Sequence, residues 1–258
     1  MDKISVLKDI LKKQKKVCIA YSGGTDSDFL LNVAKEVLGE NVIAIIGNGV
    51  MMAEKDLKDA VRLVEKTGVR YYIAEVDLFS VDKFKNNDKE RCYFCKRTIM
   101  SSLREKAKEL GFEIILDGKN FDDAKVYRPG AKAAEEMGIK SPLCKAEFTK
   151  EEIRLAAKEM GIDTWNKASN SCLATRFPYD TVLTSEKFEM VEKAEKLISD
   201  YAIESGRVRL HGDVARIEIP KSNFSQFIDN RELLESIKQL GFKYITLDLE
   251  GFRSGSMD

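Results

Sequence analysis

The chain lacks a charge excess of either sign: 43 lysine plus arginine residues stand against 43 aspartate plus glutamate. Nothing global draws it to nucleic acid or to an anionic membrane, so any anion binding has to be local. No apolar run approaches the roughly 20 residues that span a bilayer. Residues 1–16 are a Lys-rich amphipathic stretch without a signal-peptide core, and the expectation is a cytoplasmic protein. Histidine is nearly missing, with His211 the single one, and the five cysteines are an odd number. Without an export signal that count favours thiols or metal ligands over a disulfide framework. The pattern G-x-x-x-x-G-K-S/T is absent, as is G-x-G-x-x-G, which excludes the Walker and dinucleotide loops. Low-complexity segments and solenoid-length repeats are also lacking. At 258 residues the chain suffices for one large or two modest domains with real cores.

What is present is a phosphate-binding pattern of another kind. Val17-Cys-Ile-Ala20 reads as a buried strand, Ser22-Gly-Gly-Thr-Asp-Ser27 as a turn, and Phe29 to Leu38 as the helix it opens. Gly23 and Gly24 permit unusual backbone angles and close approach of a polyanion to the main chain. The helix adds unpaired N–H groups and its positive dipole end, and Ser22, Thr25 and Ser27 offer hydroxyls. Asp26 cannot hold phosphate directly. An acid there makes sense if a magnesium ion bridges it to phosphates, since hard cations prefer carboxylate oxygen.

Strand and helix patterns then alternate. Val42 to Ile46 reads as a buried strand, 53–66 as a helix, 70–75 as a strand, 98–110 as a helix after an insertion carrying Cys92, and 113–117 as a strand. Such alternation implies right-handed crossovers and a mostly parallel sheet, with ligands at the carboxyl ends of the strands. The Ser22 loop, Gly47 to Val50 and Asp117 to Asp123 are therefore expected to face one cleft. A capping box, Thr149-Lys-Glu-Glu152, starts a further helix. Periodicity fades over 164–181, which places a domain boundary there. The remainder, helix 185–205, strands 207–211 and 214–220, helix 225–240 and strand 244–249, suggests a small α+β domain with an antiparallel sheet.

Cys92-Tyr-Phe-Cys95 is one C-x-x-C pair, and Cys172 sits in an irregular segment. Three thiolates could serve an iron–sulfur cluster, metal-free redox or persulfide chemistry, or zinc. Zinc would have to recruit Cys144 or Cys18, and Cys18 belongs to an apolar strand where cysteine acts as a small hydrophobe. On a cubane cluster three cysteines leave one iron without a protein ligand.

Ser22-Gly-Gly-Thr-Asp-Ser27 resembles the S-G-G-x-D-S loop of the N-type ATP pyrophosphatases, the PP-loop family, whose members cleave ATP to AMP and pyrophosphate while adenylylating a substrate. Nearly the whole chain resembles one branch, the LarE family of ATP-dependent sulfur transferases that build a nickel-pincer nucleotide cofactor. Asp117-Gly-Lys-Asn-Phe-Asp-Asp123, Tyr127-Arg-Pro-Gly130, Cys172-Leu-Ala-Thr-Arg-Phe-Pro178, Val208-Arg-Leu-His-Gly-Asp-Val-Ala-Arg216 and Leu247-Asp-Leu-Glu-Gly-Phe-Arg-Ser-Gly-Ser256 carry that likeness. The resemblance implies an α/β PP-loop domain with a parallel sheet (1–168) and a small α+β domain for sulfur transfer, substrate and oligomerisation (169–258). It implies ATP and Mg2+ at Ser22, Gly23, Gly24, Thr25, Asp26, Ser27 and Gly118, with Asp26 on the metal. The substrate it implies is pyridinium-3,5-biscarboxylic acid mononucleotide, whose carboxylates become thiocarboxylates. Some members have only the cysteine matching Cys172 and surrender its sulfur. Cys92 and Cys95 make this chain resemble the members in which three cysteines hold a 4Fe–4S cluster and deliver an extra sulfide from the open iron. The resemblance further implies a homo-oligomer, a small-molecule substrate, an external sulfide source, and neither nucleic acid nor membrane as partner.

Arg176, Arg209, Arg216 and Arg253 are the substrate-side candidates, because guanidinium forks suit phosphate and carboxylate. Arg176 and Arg253 stand out, being in irregular segments where binding groups concentrate. His211 reads as a structural strand residue. Met51, Met52 and the aromatics Tyr71, Tyr72, Phe79 and Phe84 read as core and carry no assigned function. Two rival functions are a cluster-bearing tRNA thiolase, disfavoured by balanced charge, and a non-catalytic nucleotide-binding iron–sulfur sensor, which would need neither Asp26 nor the acidic pair Asp122 and Asp123.

Overall fold

Val17–Ala20 and Val42–Ile46 are apolar without alternation, which suits strands covered by helices on both faces. The structure, a computed structural model, describes residues 2–125, 129–168, 171–203, 205–253 and 255–257. Tyr127 and Arg128 of the Tyr127-Arg-Pro-Gly130 pattern, and Ser254, lie outside the described residues. In chain order the elements are Lys3–Lys12 (α1), Val17–Ala20 (β1), Thr25–Leu38 (α2), Val42–Asn48 (β2), Glu54–Thr67 (α3), Tyr71–Glu75 (β3), Asp82–Lys85 (α4), Arg91–Glu109 (α5) and Ile115–Leu116 (β4). Four helices follow: Phe121–Ala124 (α6), Pro129–Glu136 (α7), Pro142–Lys145 (α8) and Lys150–Glu159 (α9). The last stretch holds Ser185–Asp200 (α10), Arg207–His211 (β5), Val214–Glu218 (β6), Phe224–Ile228 (α11), Arg231–Gln239 (α12) and Tyr244–Leu247 (β7). Two compact units result, one of 1–81 with 90–170 and one of 82–89 with 171–258.

In the first unit four parallel strands run in the order β3-β2-β1-β4. Side chains alternate across the sheet. Val17, Ile19, Val42, Ala44 and Ile46 join the core with α1, α2, α3 and α9, while Cys18, Ile43 and Ile45 join α5 and α7 on the other face. The order matters more than the count. The chain moves outward from β1 through β2 to β3, then returns to place β4 on β1's free side. The carboxyl ends of β1 and β4 thereby flank a topological switch point, where α/β sheets gather ligands.

Local signals set the helix ends. Asp2 accepts the Ile4 amide at 2.9 Å ahead of α1. The Thr149–Glu152 capping box forms as read, with both reciprocal bonds in place at the start of α9.

The second unit departs from the sequence reading in three ways. Its sheet is mixed: β5 and β6 pair antiparallel, but β7 lies parallel to β6. The intervening helices make a crossover, which returns the chain in the same direction. The helix expected over 225–240 breaks at Asp229, and Asn230 caps α12 through the Leu233 amide at 3.0 Å. Residues 82–89 also belong here. Asn87 is fully buried and donates to the Phe177 and Pro178 carbonyls at 3.2 and 2.6 Å, and the Phe84 and Phe177 rings flank Phe188. No helix is long and apolar enough to cross a membrane among the described residues.

Candidate functional site

The turn after β1 is built for close approach. Gly23 has φ +69°, and a Cβ there would meet the Ala60 Cα at 2.8 Å and Cβ at 2.9 Å, so both angle and packing demand glycine. The first intrahelical bond of α2 runs from the Asp28 amide to the Gly24 carbonyl at 3.0 Å. The amides of Thr25, Asp26 and Ser27 precede it and have no intrahelical acceptor. Ser22 and Ser27 hydroxyls lie 3.2 Å apart, and Ser27 Oγ donates to the Gly24 carbonyl at 3.0 Å.

Across the switch point the loop after β4 completes the cradle. A Cβ on Gly118 would sit 2.9 Å from the Ser27 amide nitrogen, so only glycine leaves that helix end open. Asn120 is buried and donates from Nδ2 to Asp26 Oδ2 at 3.1 Å. The other oxygen, Asp26 Oδ1, is buried with no hydrogen-bond partner among the described residues. Burial pushes the Asp26 carboxyl above its usual range. The Asn120 bond and the positive charges of Lys150 and Arg154 pull it partly back, and Asp123 opposes them. An orphaned carboxylate oxygen beside an open helix end fits a divalent cation bridging to phosphate.

Two readings from sequence change here. The Thr25 hydroxyl does not face a phosphate: it donates to the Thr164 carbonyl at 2.6 Å, leaving Thr25 only its amide for an anion. Asp122 and Asp123 are structural, since Asp122 accepts the Lys150 amide at 2.9 Å and Asp123 closes the capping box of α6. Gly47–Val50 lies at the carboxyl end of β2, on the same sheet edge as the end of β1, and Asn48 there donates to the Glu75 carboxylate at the end of β3. Asp28, which sequence reasoning passed over, is buried and anchors the loop, accepting from Tyr21 at 2.9 Å and Thr164 at 2.8 Å. Burial raises its carboxyl too, against those two hydrogen bonds. Lys167 was likewise missed and donates to the Gly23 carbonyl at 3.0 Å.

Cys92 and Cys95 lie in the first two turns of α5, not in an insertion ahead of the helix, and their i,i+3 spacing puts them on one helix face. Cys92 is exposed and Cys95 half-buried. In the second unit Cys172 is exposed and its Sγ accepts the Ala174 amide at 3.3 Å. Among the described residues no three His, Cys, Asp or Glu side chains are grouped to hold a metal ion. Cys18 is core, and burial pushes its thiol up to about 12.

The four arginines divide into two kinds. Arg176 and Arg209 are buried, with their forks on Glu195 and Glu218. Arg216 is partly exposed and reaches the second oxygen of Glu218 at 2.9 Å. Arg253 is exposed beside Asp248 and Glu250. His211 lies half-buried in the same unit, its Nε2 buried with no partner among the described residues, and burial with the Arg216 charge lowers its pKa.

The NAD synthase family matches residues 2–109, the stretch that contains the loop and α5. A pyridinium-3,5-bisthiocarboxylic acid mononucleotide synthase of Lactiplantibacillus plantarum is 38% identical over 96% of this chain and 91% of its own. The chain belongs to that synthase family. The match spans both units, so membership extends to the mixed-sheet unit as well as to the PP-loop domain. An uncharacterised protein of Methanocaldococcus jannaschii is 32% identical over 98% of both chains. A tRNA-specific 2-thiouridylase of Desulforamulus reducens is 24% identical over 60% of this chain and 53% of its own. The family is one of PP-loop enzymes, and its LarE-type members are what the sequence motifs resemble.

Proposed function

We propose that the protein uses ATP to adenylylate a carboxylate of pyridinium-3,5-biscarboxylic acid mononucleotide and then replaces the activated oxygen with sulfur. One observation carries the activating half: Asp26 Oδ1, buried and unpartnered, stands beside the open amides of α2 and the Gly118 backbone. A Mg2+ ion held by Asp26 would neutralise phosphate charge while the loop amides orient the nucleotide.

Direct attack of sulfur on a carboxylate fails for want of a leaving group. In the first step a substrate carboxylate oxygen bonds to the α-phosphorus, and the bond to the bridging oxygen breaks, releasing pyrophosphate with its electron pair. In the second a sulfide attacks the acyl carbon and AMP departs. The site's own contribution is positioning and a fixed electrostatic field.

For the sulfur, the reading takes Cys92, Cys95 and Cys172 as ligands of a 4Fe–4S cluster, supported by the helical Cys92–Cys95 pair and the preference of such clusters for thiolate. When bound, that group supplies a sulfide at an iron lacking a protein ligand. On the substrate side Arg216 and Arg253 are the assigned anion ligands, and Arg176 and Arg209 brace the segment that carries Cys172, donating to the Ser171, Cys172 and Thr175 carbonyls.

The test is anaerobic incubation with Mg-ATP and sulfide, with the pyridinium mononucleotide and bulk tRNA in separate arms. AMP, pyrophosphate and thiocarboxylate appear in equal amounts only with the mononucleotide. Product with tRNA alone would make the protein a tRNA thiolase, and no pyrophosphate in either arm would refute the activating reaction.

A further inference from the structure

Arg154 lies one turn beyond Lys150 on α9, an i,i+4 pair on one helix face, and both positive charges act on Asp26. Among the described residues its guanidinium makes one hydrogen bond, from Nη2 to the Lys167 carbonyl at 3.4 Å, and its Nε is buried with no acceptor. Lys167 in turn donates from Nζ to the Gly23 carbonyl at 3.0 Å. A continuous line of contacts therefore leads from the guanidinium to the amino-terminal end of the phosphate loop.

A guanidinium has five donors in a rigid fork, and a buried donor without an acceptor is unfavourable until an anion arrives. Asp26 is not that anion. Its Oδ1 is itself buried and unpartnered, and its Oδ2 is taken by Asn120. An acid and a base that make no ion pair with each other, each with a buried atom left unpaired among the described residues, suit a ligand bearing both signs, a polyphosphate with its cation. Gly118 and Asn120 occupy the Asp26–Ser27 end of the loop, where backbone dipoles suffice for one phosphate. Arg154 is tied to the Gly23 end, and a full positive charge matches the more highly charged outer phosphates.

We propose that Arg154 binds the two outer phosphates of ATP and stabilises pyrophosphate as it departs. The assignment rests on the ATP-activating reading above and deepens it. As the bond from the α-phosphorus to the bridging oxygen breaks, negative charge collects on pyrophosphate, and the guanidinium fork is placed to receive it.

Calorimetric titration of wild type, Arg154→Ala and Arg154→Lys with AMP, inorganic pyrophosphate and a non-hydrolysable ATP analogue, all with Mg2+, tests this. The alanine variant should lose about 10- to 100-fold in affinity for pyrophosphate and the analogue. AMP binding should change by no more than about twofold. The lysine variant, with a point charge in place of a fork, should fall between. Unchanged pyrophosphate binding in Arg154→Ala, or an equal loss for AMP and pyrophosphate, would overturn the assignment. Misfolding would give that equal loss together with a lowered Tm, while the lysine variant keeps the stem and charge. A wild type that binds none of the three ligands overturns the activating reading itself, a result recognisable before any variant is compared.

Discussion

Asn120 Nδ2 donates to Asp26 Oδ2 at 3.1 Å, so one hydrogen bond joins the two loops that flank the switch point between β1 and β4. It holds one carboxylate oxygen and leaves the other buried without a partner among the described residues. That second oxygen is the one the proposed reaction would give to Mg2+.

Asp26→Asn should separate stability from activity. The folded Asp26 pKa lies above its ordinary value of 3.8, with burial the leading cause. The sign follows: ionisation costs folding free energy at neutral pH, the cost is absent below the unfolded value, and it grows as pH rises through the folded one. Asparagine keeps an acceptor for Asn120 and removes the charge. The apo variant should melt higher than wild type at pH 7 with the gap closing toward pH 3.8, while Mg-ATP turnover falls about 100-fold or more. Thermal melts across pH check the first part, and a variant less stable at pH 7 would contradict the burial account.

Gly118→Ala should damage nucleotide binding more than folding. Its Cβ would lie 2.9 Å from the Ser27 nitrogen, in the space a phosphate oxygen needs to reach that amide. Gly118 has no positive φ, so the cost to the backbone is steric alone. A Tm drop of about 2–8 °C, corresponding to 1–2 kcal/mol, is expected, with ATP affinity reduced about tenfold or more. Equal affinity for ATP in the variant would show that the nucleotide does not use this helix end.

The phosphate loop is legible in sequence because all its parts are contiguous: strand, Gly23-Gly24 and helix lie within Val17 to Leu38. The parallel sheet is legible for a similar reason, since buried strands and amphipathic helices carry distinct periods. What tunes the loop is not. Asn120 reaches Asp26 across 94 positions and Lys167 reaches Gly23 across 144, and no local pattern encodes either partner. Arg154 hides in the ordinary charge alternation of α9. Cys92-Tyr-Phe-Cys95 reads as an insertion because two aromatics and two cysteines are weak helix formers, and packing of α5 overrides that preference. The direction of β7 depends on whether the chain turns back or crosses over, which Asp229 and Asn230 decide by breaking one expected helix into two.

The cysteines should sort by reactivity in metal-free protein. Cys92 and Cys172 are exposed, whereas the Cys18 thiol is fully buried and pushed up to about 12. The thiolate is the reactive form. Iodoacetamide at pH 8 should label Cys92 and Cys172 within minutes and Cys18 only after unfolding, as read by peptide mass spectrometry. After anaerobic reconstitution the labelling of Cys92, Cys95 and Cys172 should fall together, with iron and labile sulfide bound. Bound iron and sulfide unchanged in Cys92→Ala would refute the ligand assignment.

Arg209 and Arg253 should respond oppositely to truncation although both are arginines of the same unit. Arg209 donates two bonds to Glu218 Oε2, at 3.0 and 2.8 Å, and the Glu218 side chain is 0% exposed. Removing the guanidinium leaves a buried carboxylate that Arg216 alone must compensate through its other oxygen. Arg209→Ala should therefore cost about 3–5 kcal/mol, the usual result of breaking a buried pair from one side. Arg253 sits exposed beside Asp248 and Glu250, where ion pairs contribute about 0–1 kcal/mol, so Arg253→Ala should leave the urea midpoint nearly unchanged. If Arg253 contacts the substrate, that variant instead raises KM for the mononucleotide about tenfold or more. A fall in kcat with KM unchanged would assign it to a later step, and no change in either would remove it from the substrate site.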